Sequence, residues 1–123
     1  MLPDIERAVV ARLSGALSGT HVGLDLDERR PAVTISIAGG GPDAPGKPDR
    51  PRIQIDTWAD DPATARTLAY AVEAAMTCGI SDDGWTAGGV AVSDCRLVTR
   101  PLRLDDPVAG TPRYTIMFEM HAR

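Results

Sequence analysis

Two histidines, two cysteines and three Asp–Asp pairs are the residues of this chain whose types could do chemistry. His21 and His121 stand near opposite ends of the sequence, without a Cys or an acid at the spacing of a metal-ligating motif. An imidazole that acts as a base or ligand needs converging partners, so both are read as surface or edge-strand residues. Asp60 and Asp61, Asp82 and Asp83, and Asp105 and Asp106 fall at a helix start or in turns. There a carboxylate accepts a local backbone N–H, which explains the pairs without metal or acid–base chemistry. Cys78 and Cys95 are 17 positions apart, which is neither a metal nor a redox spacing, and read as two reduced thiols.

The segment Gly41–Lys47, GPDAPGK, matches a phosphate-binding loop by count alone. That loop needs backbone N–H groups around the phosphate and a Ser or Thr and a helix after its Lys. Here Pro42 and Pro45 remove donors, Pro48 follows Lys47, and the next pattern is a strand. No Ser, Cys or Thr falls in a recognised nucleophile motif. The expectation is a protein with no cofactor, no metal and no catalysed reaction.

These residues must be carried by few elements, because 123 residues supply one domain. Hydrophobic residues make up 43% and charged ones 24%, a globular balance, and aromatics only 4%, so the core must be aliphatic. Twelve Arg and one Lys against 17 acids leave a net charge of −4, which argues against a dedicated nucleic-acid-binding face. The N-terminus carries charges within its first seven residues, and no window approaches the ~20 apolar residues of a membrane span. No membrane partner is expected, and synthesis in the cytoplasm is.

Over residues 3–18, Ile5, Val9, Leu13 and Leu17 recur at four-residue steps, predicting an amphipathic helix that stops at Gly19. A short extended piece, 21–26, precedes a turn and then an alternating strand, 32–38, with Val33, Ile35 and Ile37 on one face. Residues 39–50 hold too many Gly and Pro for regular structure and predict a flexible loop. A strand from Pro51 turns Ile53 and Ile55 inward and Arg52, Gln54, Asp56 and Trp58 the other way, where Trp58 reads either as an exposed residue or as a rim residue covered by a loop. A second helix starts at Asp60–Asp61–Pro62 and buries Ala65, Leu68, Ala69, Val72 and Met76.

Residues 80–88 read as a polar loop around Trp85. Residues 89–100 read as a strand in which Val90, Val92 and Val98 share a parity with Asp94 and Arg96. Either a bulge near Ser93 shifts the phase or the strand leaves the core midway. Residues 113–121 alternate again and should close a wide antiparallel hairpin. The fold class is α+β: two helices on one face of a mostly antiparallel or mixed four- to five-stranded sheet, order αβββαββ, in a single domain spanning 1–123.

The stretch 51–76, PRIQIDTWADDPATARTLAYAVEAAM, resembles the central motif of phage tail terminator proteins of long-tailed bacteriophages. Arg52, Gln54, Asp56, Trp58, Pro62, Ala65, Leu68, Ala69 and Val72 carry the match, in a strand that reads R-x-Q-x-D-x-W here and runs into an acid–Pro turn and an Ala-rich helix. The order of elements extends the resemblance over nearly the whole chain. The segment LDLDERRPAV is shorter than the family's usual polar and aromatic stretch, and the 39–50 loop has no fixed counterpart in it.

The resemblance implies a virion structural protein at the tail–head junction, assembled in the host cytoplasm as a ring, commonly a hexamer. Such a ring caps the tail tube, ends its elongation and provides the joint to the head. Its partners would be other copies of itself, the major tail tube protein and a head-completion or connector protein, with DNA passing through the channel without specific binding. A head-closure or other connector subunit is the alternative, and a small enzyme or ligand-binding α+β domain a more distant one. The candidate self-assembly or tube-facing residues are Arg52, Gln54, Asp56 and Trp58 on the exposed face of the third strand, Arg96 on the long strand, and Lys47, Asp49 and Arg50 in the loop. An exposed Trp and Arg are typical interface anchors, and a net acidic chain suits a lumen to which DNA does not stick.

Overall fold

A computed structural model describes residues 5–24, 31–40, 51–77, 85–104 and 111–122. The elements run α1 (Ile5–Ala16), β1 (His21–Gly23), β2 (Ala32–Gly40), β3 (Pro51–Trp58), α2 (Pro62–Thr77), β4 (Trp85–Ala87), β5 (Val90–Arg103) and β6 (Arg113–Ala122). The strands form one sheet in the order β1-β2-β3-β6-β5-β4. Among the described strands β1 and β2 alone pair in parallel; β2–β3, β3–β6, β6–β5 and β5–β4 pair antiparallel.

Alternation decides which face the helices take. Val33, Ile35, Ile53, Ile55, Ile116, Phe118 and Met120 are all buried and project to one side, where both helices pack. α1 contributes Ile5, Ala8, Val9 and Leu13, and α2 contributes Ala65, Leu68, Ala69, Val72 and Met76. Small Ala residues at the contact let the helix backbones approach the sheet, and Phe118, the chain's one Phe, fills the centre. The α+β class and the single-sided helix layer are as the sequence indicates.

α2 begins where the sequence places it. Asp61 accepts from the Thr64 backbone N–H at 2.8 Å and from the Thr64 hydroxyl at 2.7 Å, an N-cap, and Pro62 takes the first helical position. The backbone bond from Thr64, seconded by its hydroxyl, holds the Asp61 carboxyl below its usual range. Of the other acid pairs, 82–83 and 105–106 lie outside the described residues, as does Cys78.

The C-terminal end of α2 explains a segment the sequence hides. Helix ends leave carbonyls without internal partners. The Arg12 guanidinium donates to the Ala75 carbonyl at 2.9 Å and the Trp85 indole donates to the Met76 carbonyl at 3.0 Å. Arg12 also lies over the Trp85 ring, 5.2 Å from its centroid. Trp85 is thus buried, and residues 85–87 form the short strand β4 in place of a loop. Gly88 and Gly89, both at positive φ (56° and 77°), make the two-residue turn into β5. The Gly-Gly dipeptide between two apolar runs is the signal that marks this hairpin in the sequence. The sheet accordingly has six strands among the described residues.

The phase problem in β5 resolves as a bulge. The register shifts between Val92 and Asp94, again between Leu97 and Thr99, and again between Thr99 and Leu102. The first shift lets Val92 and then Cys95 face the core while Asp94 and Arg96 point away. Burial, with the nearby Asp94 charge, pushes the Cys95 thiol up to about 12. β2 runs two residues beyond its expected end, Gly39 pairing with Arg52 and Gly40 with Pro51. The remainder of the expected loop, including Lys47, Asp49 and Arg50, lies outside the described residues.

Candidate interface on the helix-free face of the sheet

The opposite face of the same strands is a polar lattice laid out in rungs. Thr34, Asp56 and Thr115 occupy one rung across β2, β3 and β6; Ser36, Gln54 and Met117 the next; Arg52, Glu119 and Arg96 a third across β3, β6 and β5. Ala32, Trp58 and Arg113 form the terminal rung. No described helix covers this face, so its side chains are organised mainly by one another.

Trp58 is covered and is not the exposed anchor that one of its two readings expects. Its side chain is 6% exposed, not open to solvent. The indole N–H donates to the Thr34 hydroxyl at 3.1 Å, and the Arg113 guanidinium sits 5.2 Å from the ring centroid. Arg113 is itself anchored, its Nε donating to the Leu104 carbonyl at 2.7 Å. Trp58 therefore fills a satellite site outside the main apolar cluster, held by a hydrogen bond and a cation–π contact. Asp56, also expected on the surface, is buried beside it and accepts from the Gln54 amide at 3.3 Å on each oxygen. The i, i+2 spacing of a strand brings Gln54 and Asp56 to the same side.

Arg52 and Arg96 are exposed as expected, and Glu119 joins them. Arg96 donates to Glu119 at 2.9 Å, and Arg52 Nε lies 3.6 Å from the other carboxylate oxygen. Glu119 thus bridges two cations on strands that flank its own. On this face Arg52, Arg96 and Arg113 balance Asp56, Asp94 and Glu119, so the chain's acidic excess is not concentrated there. Thr34, Arg113 and Glu119 are the members that sequence alone does not single out. Their polar parity is visible, but their partners depend on strand register.

What this face offers a partner is hydrogen-bonding groups and paired charges. His21 on β1 shares the rung of Arg113, so it stands three strand spacings across the sheet and eight residues along β6 from His121, roughly 30 Å away. Among the described residues no group of three or more His, Cys, Asp and Glu could hold a metal ion. An open groove of about 370 Å³ beside the start of α2 is lined by residues such as Thr20, Pro31, Thr64, Thr67 and Leu68, with no titratable side chain among the described residues that line it. A polar hollow of about 180 Å³ among Asp94, Arg96, Glu119, Met120 and His121 is smaller than common ligand pockets of ≈300–1,000 Å³. No described helix is long and apolar enough to cross a membrane.

With this geometry in place, the chain can be set beside known proteins. No family model matches it, and no curated protein does. Among solved structures it is similar to a chain of the virion of a native gene transfer agent particle, with a TM-score of 0.68. The likeness is one of fold. It covers 96% of this chain and 93% of that one at 14% sequence identity, so the layout is shared from end to end while few side chains are.

Proposed function

We propose that this protein is a virion structural protein that assembles as a ring on the end of a phage-type tail tube, stops its growth and presents the surface that joins the tail to the head. The observation that carries the reading is the end-to-end fold likeness to a chain of a gene transfer agent virion. It agrees with the terminator-like strand–turn–helix motif at residues 51–76. The motif's polar residues are gathered on the helix-free face, which is built for contact rather than turnover.

In this reading Arg52, Gln54 and Arg96 are the exposed or half-exposed members available to a partner. Asp56 and Trp58 hold the surface in shape from beneath. Lys47, Asp49 and Arg50, which lie outside the described residues, are kept as candidate interface residues on their sequence alone. Partners are further copies of the chain, the tail tube protein and a head-completion or connector protein, and a ring of six is the expected number. DNA passes the channel without specific binding, and no reaction is catalysed.

Electron microscopy of particles made without the protein tests this reading. Overlong, headless tubes that return to normal length when the protein is restored are the expected result. Normal-length tails on leaking heads would move the protein to head closure, and unchanged particles would overturn the assembly role.

A further inference from the structure

Two strands of the sheet have edges that their neighbours cover only in part. β1 pairs with Ala32–Thr34, so Ile35–Gly40 of β2 has no partner strand on that side among the described residues. β4 pairs with Val90–Val92, which leaves β5 in the same condition from Asp94 to Arg103. Among the described residues, five of the six large hydrophobic side chains that stand exposed lie at these edges: Leu24 (51%) and Ile37 (52%) at one, Val98 (40%), Leu102 (54%) and Leu104 (47%) at the other. The sixth, Tyr70, is on α2 beside Arg66. Exposed strand edges with apolar side chains are templates for pairing with another chain.

We infer that the two edges join copies of this chain head to tail, β2 of one copy taking β5 of the next and extending the sheet from subunit to subunit. The inference rests on the ring reading above and names its contact. β2 and β5 run in opposite directions in the sheet, so the new pair is antiparallel, the arrangement that accommodates the bulges of β5. The partner is the unlike edge for a reason of charge. Two β5 edges would set Arg96, Arg100 and Arg103 against one another, whereas Ile35–Gly40 carries no charge and no Pro to blunt it.

The covered parts also have a geometric consequence. β1 protects the first residues of β2 and β4 the first residues of β5, and the two strands are antiparallel. The open segments therefore lie at opposite ends of the sheet, and joining them displaces each subunit along the strand direction. A displacement of this kind, taken up by tilting the strands, is what closure of a sheet into a barrel requires. A heterologous contact of this kind closes into a ring where the rotation permits.

The test mixes equal amounts of Ile37→Cys and Leu102→Cys chains, both in a Cys78→Ala background, and joins them with a short bis-maleimide. Mixed Ile37→Cys/Leu102→Cys products should dominate; a predominance of Ile37→Cys homodimers, or of none, overturns the head-to-tail edge. In parallel, the wild-type chain is compared with Ile37→Lys and Tyr70→Lys by sedimentation, with circular dichroism reporting folding. Ile37→Lys should raise the dissociation concentration by about 30-fold or more, as loss of an interface anchor does, while Tyr70→Lys should leave it within about 2-fold, as exposed sites away from an interface do. A wild-type oligomer unaffected by Ile37→Lys would overturn the edge contact and leave the ring reading standing. A chain that remains monomeric at every concentration and gives no cross-links would overturn both.

Discussion

The two faces of the sheet are built from the same strands and stabilised by different physics. On the helix side, Ile35, Ile53, Ile55, Ile116 and Phe118 are sealed under α1 and α2, and removal of their apolar area from water supplies most of the stabilisation. On the other side, Trp58, Asp56 and Thr34 are buried almost as well with no helix above them. Their burial comes from neighbouring rungs and from directional contacts: indole to hydroxyl, guanidinium over ring, amide to carboxylate. An apolar face needs only volume and is tolerant in detail. A polar face that is internally satisfied is fixed in geometry and can present the same groups to a partner every time.

Substitutions should separate the two. Phe118→Ala on the helix side removes the central core side chain and should cost about 3–5 kcal/mol, enough to unfold much of the subunit in a thermal or urea melt. Trp58→Ala should cost less, about 2–3 kcal/mol as a satellite site that can partly collapse, with Trp58→Phe recovering most of it. A loss at Trp58 as large as that at Phe118 would erase the distinction between a core and a satellite site. Thr34→Val keeps the shape and removes the acceptor of the indole N–H; the expected cost is about 1 kcal/mol, seen in the melt together with a shift of indole fluorescence.

Glu119→Gln should alter folding stability by less than about 1 kcal/mol, since both of its ion pairs are with solvent-exposed Arg side chains. It leaves Arg52 and Arg96 uncompensated, so its signature is a changed salt dependence of assembly. The smallest effect belongs to the cap of α2. The Asp61 carboxyl is held below its unfolded value, so its stabilisation is present above the unfolded pKa and is lost as pH falls through the folded one. Asp61→Ala should therefore melt slightly earlier at neutral pH and equally with wild type in strong acid.

Much of this contrast was legible in the sequence. The four-residue steps of α1, the Asp–Pro start of α2 and the alternation of β2, β3 and β6 follow from local periodicity, and so does the division of β3 into an Ile face and a polar face. The phase conflict between Val92 and Asp94 was legible but left open a bulge or a strand leaving the core, and a bulge lies there. What was not legible depends on contacts distant along the chain. Trp85 is drawn into β4 by a carbonyl at the end of α2, and Trp58 is buried by Thr34 and Arg113, 24 and 55 positions away. Alternation can say that Trp58 leaves the main core; only register says what meets it on the other side. The same holds for Glu119, whose two Arg partners come from strands on either side of its own.

The measurement that bears most directly on tube capping is tube length in a reaction of purified components. The tail tube protein of the same particle is allowed to polymerise while this protein is added at increasing ratios, and lengths are scored by electron microscopy. Tubes capped by this protein should stop at lengths that shorten as the ratio rises, with a ring of density at one end of each. Tubes of unchanged length with bare ends would contradict the capping role.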